Sequence, residues 1–228
     1  VVSLITDGSP LDDKGRPFRR RRAMPMLVVF AVLALLGAAL WTSILTEDED
    51  SATTVACNPP PPPTQPADSA STRPTLGEQV DPSTVLDVEP ATLADAKVRV
   101  FNANGEAGQA TQVAAQLSDY GFASAPDVQV GNDPIYVDQN MQCHGQLRFG
   151  PSGIAAASAL YLVVPCAELI EDSRTDDTVD LALGTYFRNI SPNPDAEEVL
   201  RSLKEPPPGM QAPPLDIDLL NAARTAHC

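Results

Sequence analysis

A run of 20 residues with no ionisable side chain, Met26 to Leu45 (MLVVFAVLALLGAALWTSIL), constrains this chain more than any other feature. Wound as a helix it would rise about 30 Å, the thickness of a bilayer's hydrocarbon core. Its flanks carry opposite charge. Arg19, Arg20, Arg21 and Arg22 stand before it, and Glu47, Asp48, Glu49 and Asp50 follow it. Basic residues stay on the cytoplasmic side of a span. The expectation is a single-pass cell-membrane protein with 1–25 as a cytoplasmic basic leader, 26–45 as a transmembrane helix and all that follows extracytoplasmic. A cleaved signal peptide is the competing reading. Its apolar core is normally roughly 7–15 residues, closing on small side chains, whereas this run is longer and leads past Trp41 into acidic residues.

The net charge of −15 divides unevenly along the chain. Residues 1–25 hold six Lys/Arg against three Asp/Glu, while the part beyond Leu45 holds nine against 27. An exterior that acidic repels polyanions at range, which excludes nucleic acid and favours a neutral glycan or a basic protein surface as partner. The four arginines abut the membrane, where they set orientation and meet anionic lipid.

Residues 46–96 read as an acidic, proline-rich extracytoplasmic linker, with an unbroken proline run from Pro59 to Pro63. Such a composition buries no core and stays extended, a spacer holding a domain off the lipid. Patterned sequence begins at Lys97. Val98 and Val100 alternate with Arg99 and Phe101 as a strand. Asn102, Asn104, Gly105 and Gly108 supply turn chemistry, and Ala110, Val113, Ala114 and Leu117 make one helical face. Gly121 stands where that helix should be capped, and Val128 to Val130 reads as the next strand. A second unit repeats the order, with a strand at Gln146 to Phe149, a helix over Ala155 to Val163 and a strand at Val179 to Leu183. The acidic stretch Glu171 to Asp177 reads as a solvated loop between the last two.

Strand, helix, strand, strand, helix, strand predicts an α+β fold, a split-βαβ (ferredoxin-like) two-layer sandwich over 97–190 with both helices on one face of a four-stranded sheet. Residues 191–228 predict a helical C-terminal extension: a helix over Asp195 to Lys204 opened by Pro194, and another over Asp216 to Ala226.

All four cysteines, Cys57, Cys143, Cys166 and Cys228, lie beyond the apolar run. An even count in an oxidising compartment predicts disulfides. Zinc is disfavoured, since no C-x-x-C occurs and His144 and His227 merely neighbour cysteines. Three pairings exist. Joining Cys57 to Cys228 would tie the two ends of the folded region, leaving Cys143 with Cys166, and that pairing is the expectation.

No catalytic residue, cofactor or metal is expected. The turn at Gly105 and Gly108 lacks the third glycine of a dinucleotide fingerprint, and Glu106 would repel a phosphate. Ser152 lacks the spacing of a nucleophile elbow. Glu171, Asp172, Asp176, Asp177 and Asp180 lack the spacing of a calcium loop.

From Val98-Arg99-Val100-Phe101-Asn102 through Gly105, Gly108 and Ala110 to Leu117 and Gly121-Phe122, the chain resembles the opening of the LytR C-terminal (LytR_C) domain. Val179-Asp180-Leu181-Ala182-Leu183-Gly184 and Phe187 resemble its closing strand. The resemblance covers 97–190 and implies a role in maintaining the cell envelope. Related LytR-CpsA-Psr enzymes are phosphotransferases that attach glycopolymers to peptidoglycan. Their catalytic domain would have to lie between the apolar run and Lys97, an interval too short for it. The resulting expectation is a membrane-anchored, non-enzymatic factor that binds a cell-wall glycan or an envelope-assembly protein, LytR-CpsA-Psr ligases among them. The alternative is an accessory enzyme or lipid-phosphate carrier of glycopolymer ligation.

Overall fold

The alternation at Val98 to Phe101 produces a strand whose two faces have unlike fates, and that difference organises the domain. A computed structural model describes residues 24–45, 55–62, 74–204 and 214–225. The chain forms two units, Val1–Ser51 and Ala52–Cys228. Arg19, Arg20, Arg21 and Arg22, the acidic block Glu47 to Asp50, and His227 and Cys228 lie outside the described residues.

In the first unit a 22-residue helix, α1, spans Met24–Leu45. The side chains described from Leu27 to Gly37 are all exposed. Among the described residues no helix is long and apolar enough to cross a membrane.

The second unit is an α+β domain. Its strands are β1 (Glu78–Gln79), β2 (Lys97–Asn102), β3 (Ala123–Ser124), β4 (Val130–Asn132), β5 (Gly145–Phe149), β6 (Glu168–Glu171) and β7 (Val179–Leu183). Its helices are α2 (Ser83–Leu86), α3 (Gln109–Tyr120), α4 (Ile154–Tyr161), α5 (Pro194–Ser202) and α6 (Ile217–Ala223). The sheet runs β1-β6-β5-β7-β2-β3, with β4 also on β2. β3 and β4 are two pieces of one edge, interrupted around Pro126, which has no N–H to give a ladder.

This topology corrects the split-βαβ expectation. A split unit would place its last strand antiparallel to the first. Instead β7 lies parallel to β2, with Val98 opposite Val179, and antiparallel to β5. The cause is β6, a strand the sequence hid. Glu168-Leu169-Ile170-Glu171 runs into the acidic stretch and shows only two apolar residues, yet it pairs parallel to β5 and closes a local β5-α4-β6 crossover. With β2-α3-β3 closing the other, β7 is left to join the two in the centre of the sheet.

Val98, Val100, Leu147, Phe149, Leu169, Val179, Leu181 and Leu183 point to one face, where Ala110, Val113 and Leu117 of α3 and the alanines of α4 bury them in one core. Alanine at 156, 157 and 159 lets α4 lie close on the sheet. α3 ends as its sequence dictates: Gly121 takes a left-handed φ of 109°, and the amides of Gly121 and Phe122 return to the Leu117 carbonyl. Val199 and Leu200 of α5 and Leu220 and Ala223 of α6 join the same core. α5 starts where Asn193 accepts the Ala196 amide at 2.7 Å ahead of Pro194.

The proline-rich region is less of a spacer than its composition implies. β1 pairs with β6, and Val85, Leu93 and Ala96 are buried in the main core. Residues 74–96 therefore belong to the folded unit.

Candidate functional site

The opposite face of the sheet is polar, and each of the three central strands sends one charge onto it at the same level. Arg148 of β5 lies beside Asp180 of β7, and Asp180 beside Arg99 of β2. A loop following β4 and another following β6 fold over this row and add Asp133, Asp172 and Arg174. The result is a cleft of about 540 Å³ lined by Arg99, Arg148, Arg174, Asp172 and Asp180 together with Phe101, Ile135 and Pro134. Pockets for small ligands run from roughly 300 to 1,000 Å³.

Its floor is fully buried. Arg148 Nη1 donates to Asp133 Oδ2 at 2.7 Å, with 2% and 0% of the two side chains exposed. Arg148 also donates from Nε and Nη2 to Gln146 Oε1 at 3.1 and 2.9 Å, and Gln146 Nε2 passes on to Glu168 at 2.7 Å. The other oxygen of Asp133 accepts the amides of Ile135 and Tyr136 at 2.8 and 2.6 Å. A buried charge is tolerated only when satisfied in this way. The Arg148 guanidinium also lies over the Tyr136 ring, 5.7 Å from its centroid.

The rim is partly open. Asp180 accepts from Arg99 Nε at 2.5 Å with one oxygen and from Arg174 Nη2 at 2.7 Å with the other. Arg174 also grips Asp172, from Nε at 2.8 Å and Nη2 at 2.6 Å. Burial opposes the charge on both Asp172 and Arg174. Their mutual hydrogen bonds outweigh it, holding the carboxyl below its ordinary range and the guanidinium above its own. A β-carbon at Gly150 would lie 2.1 Å from the Arg174 carbonyl, so only glycine lets this loop pack against the end of β5. The expected solvated loop is thus an ordered ion-pair lattice, with Asp177 binding Lys97 at 2.7 Å and Asp176 accepting the Thr178 hydroxyl.

Beside the cleft, a second apolar cluster of Phe101, Ala103, Ile135, Tyr136, Met141, Cys143 and Ala182 is closed by Cys57 and Leu76. Cys57 and Cys143 form a disulfide. Around it Tyr136 Oη donates to the Asn58 carbonyl, and the Gln142 amide donates to Asn58 Oδ1, both at 2.6 Å. The expected pairings of Cys143 with Cys166 and of Cys57 with Cys228 are therefore overturned. The proline-rich segment returns across the polar face of the sheet, where Cys143 is buried, instead of reaching toward the C-terminal tail. Cys166 is disulfide-bonded as well.

The turn singled out in the sequence lies elsewhere and is absorbed in its own bonding. Gly105 and Gly108 have φ of 82° and 80°. Asn102 Oδ1 accepts the amides of Asn104 and Gly105 at 3.1 and 2.8 Å, and Asn104 Nδ2 donates to Gln109 and to the Gly184 carbonyl. None of Asn102, Asn104, Gly105 and Gly108 lines the cleft. The residues that do were missed as a site, although Arg99, Arg148 and Asp180 each interrupt an apolar strand.

A mixed sheet with helices on one face and a charged cleft on the other defines a small α+β domain. The family described as LytR cell envelope-related transcriptional attenuator (LytR_C) matches residues 95–187. Over 213 residues the chain is 48% identical to the cell envelope integrity protein Cei of Mycobacterium tuberculosis, covering 93% of this chain and 94% of that protein. The crystal structure of the soluble domain of a conserved hypothetical secreted protein from Mycobacterium marinum is similar at 45% identity and a TM-score of 0.60, covering 67% of this chain and 99% of that one. The chain belongs to this LytR_C family of cell envelope proteins.

Proposed function

We propose that this protein is a membrane-tethered, non-catalytic factor for cell envelope integrity, anchored by α1 and holding an envelope component on the polar face of its extracytoplasmic domain. One observation carries the reading. In the cleft Arg99, Arg148 and Arg174 are each committed to a carboxylate, so the site offers a lattice of hydrogen-bonding groups already held in place by ion pairs. The name of the Mycobacterium tuberculosis relative supports the envelope role, and the description of the Mycobacterium marinum protein as secreted supports an extracytoplasmic domain. The disulfide at Cys57 belongs to an oxidising compartment. For the anchor, the support is the 20-residue apolar run with arginines before it and carboxylates after it.

The test has two arms. A reporter fused after Asp50 is expected to be active only outside the cell, and a cytoplasmic signal overturns the orientation. The full-length protein in detergent micelles should co-sediment with purified cell walls or retain an envelope-assembly protein from envelope extract. Retention of neither removes the binding role.

A lipid-phosphate carrier is the second reading, favoured by three guanidinium groups in one cleft. Their neutralisation by Asp133, Asp172 and Asp180 weighs against it, since a phosphate would have to displace carboxylates already in place.

A further inference from the structure

The rim of the cleft alternates donor and acceptor. Arg99, Asp180, Arg174 and Asp172 form a continuous chain of ion pairs with two charges of each sign. Arg174 commits Nε and Nη2 to this chain, while Nη1 makes only contacts of 3.5 Å to Thr178. Arg99 commits Nε, and its Nη1 reaches Asp127 only at 3.4 Å. Donor capacity on both guanidinium groups, which carry five N–H each, therefore remains next to carboxylate lone pairs.

A ligand suited to such a surface donates and accepts at neighbouring atoms. A phosphate or carboxylate accepts only, and would bring a negative charge against Asp172 and Asp180. An ammonium donates only, and would meet Arg99 and Arg174. A hydroxyl does both, and two hydroxyls on adjacent carbons span a neighbouring arginine and aspartate without adding charge. Pro134, with the edges of the nearly buried Phe101 and Ile135, lines the same cleft and offers a small apolar surface for the C–H face of a sugar ring. The strongly acidic chain beyond residue 45 points the same way, since it disfavours an anionic polymer.

We propose that the Arg99–Asp180–Arg174–Asp172 rim is a binding site for a neutral saccharide bearing vicinal diols. The assignment rests on the reading of the domain as a binding module and names its ligand class. Arg99 and Arg174 donate to ring hydroxyls, Asp172 and Asp180 accept from them, and the buried Arg148–Asp133 pair fixes the floor beneath. Because each rim group is already held by its neighbour, little side-chain ordering accompanies binding.

The experiment uses the full-length protein in detergent micelles. Its probes are fluorescently labelled neutral and acidic oligosaccharide fractions released from the host's cell wall and separated by anion exchange, with inorganic pyrophosphate as a third. Binding of the neutral fraction is expected, and periodate, which cleaves vicinal diols, should abolish it. Arg174→Gln and Asp172→Asn should each weaken it at least tenfold, while Arg201→Gln, on the exposed side of α5, should leave it unchanged. Thermal melts of each variant separate lost binding from lost folding, and Arg174→Lys, which keeps the charge but not the fork, should also bind weakly. Cleft-dependent binding of the acidic fraction or of pyrophosphate, insensitive to periodate, overturns the saccharide assignment yet leaves a binding module standing. Neutral-fraction binding that the rim variants do not change overturns the site. Binding of no fraction, in a protein that still sediments with intact walls or retains an envelope protein, overturns the saccharide assignment alone.

Discussion

Arg148 and Asp133 meet at 2.7 Å beneath the cleft with almost none of either side chain exposed. Among the described residues neither side chain makes a second ion pair, although Asp180 lies beside Arg148 on the next strand, so removing one partner leaves the other charge buried and unpaired. Breaking a buried pair typically costs about 3–5 kcal/mol, while replacing both partners by apolar groups can be close to neutral. Arg148→Met is expected to lose stability within that range, toward its lower end because Asp133 keeps two backbone amides. Adding Asp133→Asn, which removes the stranded charge and keeps an oxygen for the two amides, should recover part of the loss. Urea unfolding of the single and double variants measures both, and an Arg148→Met protein as stable as the parent would show that the pair is dispensable.

The disulfide from Cys57 to Cys143 closes a loop over a sequence separation of 86. In the chain-entropy view a loop of that length contributes about 4–5 kcal/mol. Cys57→Ser should therefore lower the melting temperature sharply and expose Tyr136 and Met141 by loosening the segment that covers them. Non-reducing peptide mapping should recover a Cys57–Cys143 peptide. Cys166 is disulfide-bonded too, so the same map should show its peptide in a cross-linked form. Recovery of a Cys143–Cys166 peptide contradicts the arrangement of the polar face.

Acid below about pH 4 should loosen the loop after β6. Hydrogen bonds from Arg174 outweigh burial to hold Asp172 below its ordinary range, and hydrogen bonds from Thr178 do the same for Asp176. A carboxyl whose folded pKa is depressed stabilises the fold above its unfolded pKa, about 3.9 for aspartate, and loses that contribution as pH falls through the folded value. Stability is thus expected to hold from neutral pH to about 4 and to fall below it. Asp172→Asn should flatten part of that fall, and a pH titration of thermal stability in the two proteins reads the difference. Identical acid limbs would mean that Asp172 is not coupled to folding.

The sequence disclosed what depends on local periodicity and on end chemistry. The α3 face at Ala110, Val113 and Leu117, its cap at Gly121, the Pro194 start of α5 and strands β2, β5 and β7 all follow from neighbours in the chain. β6 was hidden because its pairing is nonlocal: Leu169 and Ile170 are buried between glutamates that resemble the loop beyond them. Missing it reversed the place of β7, and with β7 misplaced Arg148, Asp180 and Arg99 could not be seen as one row. A signal did exist. Each of the three strands sets one charge between two apolar neighbours, Arg99, Arg148 and Asp180, the mark of a charge on the less greasy face of a covered sheet. Asp133, Asp172 and Arg174 sit on loops, where no period fixes direction, and only the tertiary structure brings them to the cleft.

Hydrogen exchange of the full-length protein, with and without purified cell wall, tests most directly that the polar sheet face is the working surface. The account predicts added protection confined to the strands and loops around the cleft, at Arg99 to Phe101, Pro134 to Tyr136 and Asp172 to Asp180, with α3 and α5 unchanged. Protection on α3 or α5 with none around the cleft would contradict it.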